Sequence, residues 1–358
     1  MTKKVLFIGM HRPNRSPSQR YRFEQYFSYL AANGIECHLS FLISAEDDKV
    51  LYQPNQYLAK LKIFFKARHK RKQDLQSAST YDFIFIQREA FMTGTSYFEE
   101  QLARLNIPLI YDFDDAIWLA DKNEHHGIFS LLKNPGKTKK IIVLANQVVA
   151  GNSFLANYAR QFNKNVQEIP TTIDTNWYKP RNNPKAAEDP IVIGWTGSFS
   201  TIKHFEEIIP VLYNLKNKYH EKIEFKVVGE PAYKQPDLGI EGIKWQAETE
   251  VEDLQDVDIG IMPLPDNEWT KGKCGAKGLQ YMGLAIPTIM SPVGVNNDII
   301  QDGKNGYLAS TSNEWLAKLS QLIESPELRI RLGTAGRETV IKKYSVEANK
   351  SKYLALFN

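Results

Sequence analysis

Cysteine is nearly absent from this chain: of 358 residues only Cys37 and Cys274 carry a thiol. Two thiols so far apart give neither a disulfide framework nor the paired spacing of a zinc site, and they suit a reducing compartment. Long apolar runs are missing too. No stretch approaches the roughly 20 apolar residues that a membrane-spanning helix needs. The first apolar stretch, Val5-Leu6-Phe7-Ile8, is too short for the core of a signal peptide. Charge of one sign is also lacking. Lys+Arg 45 against Asp+Glu 41 leaves a formal net charge of +4, too mild to argue for a nucleic-acid partner. The expectation is a cytoplasmic protein, soluble or held peripherally on the inner face of the plasma membrane, with no nucleic acid among its partners.

What is present points to a folded α/β chain. Hydrophobic residues make up 42%, enough for packed cores and against disorder. The length exceeds one ordinary doubly wound domain and is comfortable for two. Val5 to Gly9 reads as a strand, His11 to Ser18 as a loop, and Gln19 to Asn33 as a helix with Phe23, Phe27 and Leu30 at helical spacing. Gly34 stops that helix, and Ile35 to Phe41 is the next strand. A strand, loop, helix and strand in this order open a Rossmann-like half. The glycine fingerprint of dinucleotide sites is missing, and Arg12, Arg15, Arg20 and Arg22 stand there instead. Arg20 and Arg22 fit an acceptor's phosphate or carboxylate, or equally a solvated helix N-terminus.

Phe83 to Ile86 and Pro108 to Asp112 are further strands. Arg88, Asp114 and Asp115 lie just past their ends, where open α/β sheets place ligands. Asp112-Phe113-Asp114 has the form of a hard-oxygen pair for Mg²⁺ or Mn²⁺. The phosphate-binding signals lie in the second half, however, so no metal is expected. Asp114 and Asp115 are read as acceptor-side polar groups or as helix caps before Ile117-Trp118.

Before the strand at Phe83, the segment from Tyr57 to Gln73 interleaves Lys60, Lys62, Lys66, Arg68, Lys70, Arg71 and Lys72 with Leu58, Leu61, Phe64 and Phe65. Leu58, Leu61 and Phe65 share a helical face. Such a basic amphipathic segment suits an anionic membrane surface; the plainer reading is a solvated helix whose apolar face packs on its own domain.

A Pro-, Asn- and Lys-rich linker over 179–190 separates the halves, and the pattern then restarts. Ile191 to Trp195 is a strand, followed by Thr196-Gly197-Ser198-Phe199-Ser200-Thr201 and a helix bearing Lys203, which Ser200 or Thr201 can cap. Trp245 precedes an acidic segment, Glu248 to Leu254. Asp258 to Leu264 is a short apolar stretch leading to Lys271-Gly272-Lys273-Cys274-Gly275-Ala276-Lys277-Gly278-Leu279-Gln280-Tyr281-Met282, and Ile286-Pro287-Thr288-Ile289 is the strand after it. A loop turning into a helix N-terminus presents unpaired N–H groups and the positive end of the helix dipole. Glycine lets a phosphate come close. On a helix Lys273 and Lys277 share a face, continued by Gln280 and Tyr281. An anionic ligand fits there.

Aligned on Pro287, this stretch resembles the donor-site segment of retaining glycosyltransferases of family 4, with Gln280 and Gly272 standing where that family carries two glutamates. The resemblance is specific from about Ile191 to Tyr344 and looser before that. It implies an α/β GT-B fold, in which two Rossmann-like doubly wound domains face a central cleft. The first domain would be the acceptor-binding one, 1–178, with the C-terminal helix 345–358 crossing back to it through Tyr353, Leu354 and Phe357. The second, 191–344, would bind the donor. The implied activity moves a sugar from a UDP- or GDP-sugar to a glycan or lipid-linked acceptor in cell-surface polysaccharide, lipopolysaccharide or other glycolipid synthesis, with no cofactor beyond the donor and no strict need for a metal. By the same resemblance Lys203 and Lys277 act on the diphosphate, and Asp114 joins them in the catalytic set. Gly197, Ser198, Trp245, Lys273, Gly275 and Gln280 contact the donor, Gln280 through ribose hydroxyls, and Arg20, Arg22, Arg88, Asp115 and His125 face the acceptor. Two other readings remain: a GT-B protein that binds sugar nucleotide or membrane without catalysis, and a GT-B sugar-nucleotide epimerase.

Overall fold

The computed structural model describes residues 2–53, 55–119, 134–182, 185–186 and 188–358, so His125 lies outside the described residues. The chain forms two compact units: Met1–Thr171 with Lys350–Asn358, and Thr172–Asn349. Residues 172–178, read from the sequence with the first half, pack with the second. Ile173 pairs with Ser345, and the Tyr178 hydroxyl donates to Glu250.

In the first unit the described strands are β1 (Lys3–Ile8), β2 (Ile35–Ser40), β3 (Phe83–Gln87), β4 (Leu109–Phe113), β5 (Gln147–Ala150) and β6 (Val166–Glu168). They form one sheet in the order β2-β1-β3-β4-β5-β6, and all its pairings are parallel. Val5 to Ile8 and Ile84 to Ile86 are buried, as near-continuous apolar runs are when both faces of a parallel sheet are covered. Phe7 centres an aromatic cluster, with the rings of Phe27, Phe85 and Phe23 at 4.8, 5.0 and 5.4 Å. The helix expected over 19–33 is divided into Pro17–Arg22, a 3₁₀ turn Glu24–Tyr26, and Phe27–Ala32. Phe23, at φ −145°, makes the break and packs against Phe7 beside Phe27. The terminal helix Val346–Ala355 brings Tyr353 onto Tyr26 at 3.9 Å and Phe357 against Phe83 at 5.6 Å. The other buried residue of this end is Leu356, in place of the Leu354 expected from the sequence.

The long helix Tyr57–Ser77 is fixed by a buried arginine. Ile63, Ala67, Arg71 and Asp74 recur at helical spacing and are its buried residues. The Arg71 guanidinium donates to the carbonyls of Ala90 and Gly9 at 2.5 and 2.7 Å. It also donates to Ser40 Oγ at 2.9 Å and to Asp74 at 2.7 Å.

The second unit repeats the parallel plan. Its main sheet holds β7 (Ile191–Thr196), β8 (Ile223–Val228), β11 (Ile259–Met262), β12 (Thr288–Met290) and β13 (Tyr307–Leu308). Their order is β13-β12-β11-β7-β8, with parallel pairing throughout. The intervening β9 (Lys234–Gln235) and β10 (Ile240–Glu241) form a small antiparallel pair. Trp195, Phe205, Leu212, Ile261, Trp315 and Leu319 belong to its core.

Arg71→Met should leave the Ala90 and Gly9 carbonyls without this buried donor and Asp74 with only Ser40 and Lys70, at a cost of about 3 kcal/mol or more. Hydrogen exchange across Tyr57–Ser77 should accelerate roughly a hundredfold. Unchanged exchange there would contradict the anchoring role.

Candidate active site

The loops after β7 and β8 touch backbone to backbone. Gly197 N–H donates to the Val228 carbonyl at 2.9 Å. A Cβ on Gly229, whose φ is +112°, would stand 1.7 Å from the Gly197 oxygen. Gly275, at φ +70°, begins the helix Ala276–Gly283, and a Cβ there would meet Ile299 at 2.3 Å. Only glycine meets both demands, the left-handed backbone and the lack of space. The first turn of this helix offers its unpaired amides and the positive dipole end.

Lys277 joins these two glycine-lined turns. Its Nζ donates to Thr201 Oγ1 at 3.2 Å and stands 4.2 Å from the centroid of the Trp195 ring. It lies 2.7 Å from where a Cβ on Gly197 would be, so any side chain at 197 would displace it. Burial, and then the neighbouring charge of Lys273, lower the Lys277 pKa to about 7. The site thus holds an amine whose charged form gains from an anion's arrival. Thr201 Oγ1 accepts from Ser198 N–H at 3.0 Å as well as from Lys277, and it does not cap the short helix Ile202–Glu206, contrary to expectation. Lys203 is exposed on that helix, and Ser198 is exposed before it. Lys273 precedes the helix that begins at Ala276, so it is not a helical neighbour of Lys277 as the spacing suggested. It lies over the Trp269 ring at 4.8 Å and still acts on Lys277 through its charge.

One turn further along, Gln280 is held by a group the sequence did not reveal. Its amide donates to Glu250 Oε1 at 2.9 Å, which also accepts the Trp245 indole N–H at 2.8 Å. The Tyr178 hydroxyl donates to Glu250 Oε2 at 2.6 Å. Trp245 is partly buried within this group. Glu250 and Tyr178 were missed because nothing in their local spacing marks a buried carboxylate and its donor.

In the first unit a second polar group gathers past β3 and β4. Asp114 accepts from Ser18 Oγ at 2.6 Å and from Arg88 Nε at 2.7 Å. Gln87 donates to Ser18 Oγ at 2.7 Å. Burial works to raise the Asp114 pKa, but the charges and hydrogen bonds of Arg88, Arg22 and Ser18 outweigh it and hold the carboxyl below its usual range. Arg88, at φ +61°, sits in the left-handed region that non-glycine residues rarely occupy. Asp115 accepts from Ala116 N–H and lies 3.8 Å from Arg88. Ser18 and Gln87 were missed; a hydroxyl and an amide carry little sequence signal.

Two acceptor candidates have a different role from the expected one. Arg22 is fully buried with Asp112 at 2.5 Å and donates to the Ile169 carbonyl at 2.6 Å, so its guanidinium forms a core ion pair and offers no surface to an acceptor. Arg20 is also buried, with its guanidinium packed on the Tyr21 ring at 4.8 Å and bonded to the Tyr21 hydroxyl.

Comparisons with known proteins agree with this architecture. Residues 190–325 match the model of the family Glycosyl transferases group 1. Sucrose-phosphate synthase from Thermosynechococcus elongatus superposes with a TM-score of 0.73 at 16% identity, covering 99% of this chain and 98% of that one. HepE from Anabaena in complex with UDP-glucose superposes at 0.64 and 15% identity, again over 99% and 98%. These likenesses define the fold as GT-B. In sequence, the poly(ribitol-phosphate) alpha-N-acetylglucosaminyltransferase of Staphylococcus aureus (strain COL) is 26% identical over 242 residues. That match covers 64% of this chain, and the chain spans 45% of that relative.

The Lys277 shift predicts a pH dependence with a definite sign. Between about 7 and the ordinary lysine value of 10.5 the folded protein has released this proton while the unfolded chain keeps it. Stability therefore rises with pH where the unfolded state binds more protons. Relative to Lys277→Met, the wild type should gain urea stability as pH rises from 7 to about 10; a constant difference would contradict the assignment.

Proposed function

We propose that this protein is a retaining glycosyltransferase of family 4 that moves a sugar from a UDP- or GDP-sugar to a glycan or lipid-linked acceptor of the cell surface. The observation that carries the reading is the meeting of Lys277 with the Gly197 turn beside the Gly275 helix entrance. Support comes from the family model over 190–325, from a relative named for N-acetylglucosaminyl transfer, and from a GT-B structure that holds UDP-glucose.

In this reaction the bond from the anomeric carbon to the diphosphate oxygen breaks, and its electron pair leaves with the diphosphate. Lys277, Lys203 and the first amides of the helix Ala276–Gly283 neutralise the growing charge, without a metal. Preorganised groups of this kind are the main lever when a leaving group is anionic. The acceptor oxygen attacks the same face of the sugar, and its proton passes to the departing diphosphate. Asp114, held ionised by Arg88 and its neighbours, is too weak a base to take that proton, so its role is to accept a hydrogen bond from a non-reacting hydroxyl of the acceptor. Arg88 and Asp115 stand beside it for the same substrate.

The acceptor is reached at an anionic membrane surface through the helix Tyr57–Ser77. No described helix is long and apolar enough to cross a membrane, and the contact proposed is interfacial. Ile63 and Ala67 of this helix pack on the unit, and Phe64 lies 5.5 Å from the Phe91 ring, but the face of Leu58, Leu61 and Phe65 does not. Leu58, Leu61 and Phe65 are 79%, 51% and 56% exposed, on the side away from the buried Ile63, Ala67, Arg71 and Asp74. Lys62, Arg68 and Lys72 are exposed among them, and each cation near an anionic leaflet contributes about 1 kcal/mol.

Two measurements check these readings. Nucleotide release from a panel of UDP- and GDP-sugars with glycan and lipid acceptors should require an acceptor. It should fall roughly a hundred- to a thousandfold in Lys277→Ala; wild-type turnover in that variant would remove Lys277 from the mechanism. In co-sedimentation, the protein should bind phosphatidylglycerol-containing vesicles and not neutral ones. Lys62→Glu with Arg68→Glu, or Leu61→Gln with Phe65→Gln, should abolish that binding; equal sedimentation with both vesicle types would overturn the membrane contact.

A further inference from the structure

Lysines gather a second time in the second unit, among residues other than those placed at the donor. A cavity of about 260 Å³ opens between the helix Asn296–Ile299, the turn at 301–305, and the end of the helix Pro326–Thr339 with the π turn Val340–Tyr344 that continues it. Its floor is closed on itself. The Asn305 amide donates to the Ile299 carbonyl at 2.9 Å and to Thr339 Oγ1 at 3.0 Å, and its oxygen accepts the Gln301 N–H at 2.7 Å. Thr339 in turn donates to the Ala335 carbonyl. These groups are satisfied within the protein and hold the surrounding walls in place.

The rim is different. The side chains of Lys304 and Lys343 make no hydrogen bond or ion pair with the described residues, and Lys342 has only Glu338, at 3.3 Å. Asp298 and the Gln301 carboxamide are open in the same sense. Three ammonium groups and two carboxylates line the cavity, which leaves one positive charge in excess. Lys342 and Lys343 stand on the π turn, a conformation rare in folded chains and frequent at functional sites. Lysine binds phosphate as a point charge, while carboxylates accept from hydroxyls and a carboxamide both donates and accepts. A bare anion would use the lysines and be repelled by the carboxylates. A neutral sugar would leave the excess charge unused. A sugar carrying a phosphate uses both sets. Size bounds the ligand further: sites for drug-sized molecules span roughly 300–1,000 Å³, so one phosphorylated sugar fits here and a whole sugar nucleotide does not.

We infer that this cavity is a second ligand site, for a phosphorylated sugar, distinct from the donor site at Lys277. Lys304 and Lys343 hold the phosphate with Lys342 beside them, and Asp298, Glu338 and Gln301 take the sugar hydroxyls. Two sources offer this chemistry: a free sugar phosphate, which is a monoester, and a sugar–phosphate unit within a glycan chain, which is a diester. Lys304, Lys342 and Lys343 are all exposed at the mouth, so either can enter.

The test is calorimetry on the full chain with glucose 1-phosphate, its methyl phosphodiester, inorganic phosphate and glucose. The wild type should bind one of the two phosphorylated sugars at least tenfold tighter than inorganic phosphate or glucose, and Lys277→Met should keep that binding. The tighter of the two names the source, the monoester a free sugar phosphate and the diester a phosphate-linked glycan. Lys304→Gln with Lys343→Gln, two exposed positions, should weaken it tenfold or more. Asp298→Asn with Glu338→Gln should act in opposite directions on two ligands: inorganic phosphate binds tighter because repulsion is gone, and the phosphorylated sugar binds more weakly because its hydroxyls lose charged acceptors. Hydrogen exchange across Val340–Tyr344 should slow when the phosphorylated sugar is bound. The inference is overturned if no phosphorylated sugar binds, if inorganic phosphate binds as tightly as both of them, or if binding survives the paired lysine change and is lost in Lys277→Met.

Discussion

The second unit is organised around a lysine amine held where water is scarce. Lys277 lies over the indole of Trp195, bonded to Thr201 and pressed against Gly197. A cation over an aromatic face gains about 0.5–2 kcal/mol, more as it is desolvated, yet loss of hydration still lowers its pKa. The surrounding features shape the space in which that side chain lies. Residue 197 has no room for a side chain, residue 229 must let the neighbouring loop touch it, and residue 275 must turn left-handed to start the helix that carries the lysine. The fold creates a place suited to negative charge, and a diphosphate is the occupant proposed for it.

The first unit uses charge differently. Arg22 with Asp112, and Arg71 with Asp74 and two carbonyls, are spent inside the protein. Removing either partner of such a pair leaves an uncompensated buried charge, which is far more damaging than the pair is stabilising. These arginines set the strand ends and the long helix in place. The polar groups proposed for a substrate are those past β3 and β4, where Arg88 and Ser18 keep Asp114 ionised. On the outer side of the long helix the opposite holds: cations and apolar side chains face outward together, which suits the interface of an anionic bilayer and is wasteful in plain water.

The plan of two parallel-sheet units was legible because it rests on apolar runs and glycine stops, signals carried by local sequence. Val5 to Ile8, Ile84 to Ile86 and Ile259 to Met262 all became strands. The Gly275 and Lys277 turn was legible for the same reason. What escaped notice were contacts between distant elements. Arg22 looks like any loop arginine until Asp112, ninety residues away, closes on it. Lys273 has helical spacing from Lys277, but the left-handed Gly275 between them delays the helix to Ala276. Glu250 sits in an acidic segment with nothing to distinguish it from Glu248 or Glu252; its burial comes from Tyr178, Trp245 and Gln280 converging from three other places. Helix faces were read correctly as sets, but which set turns inward was decided by Arg71, a charged residue that hydropathy would have put outside.

The most direct test of the central claim is a proton count on nucleotide binding. At pH 8 the free Lys277 is mostly neutral, and a bound diphosphate should recharge it. Calorimetry of UDP and GDP in buffers of different ionisation enthalpy should then show uptake of close to one proton for the nucleotide that binds, and Lys277→Met should abolish that uptake. Proton-neutral binding by the wild type, or no heat from either nucleotide, would contradict the account.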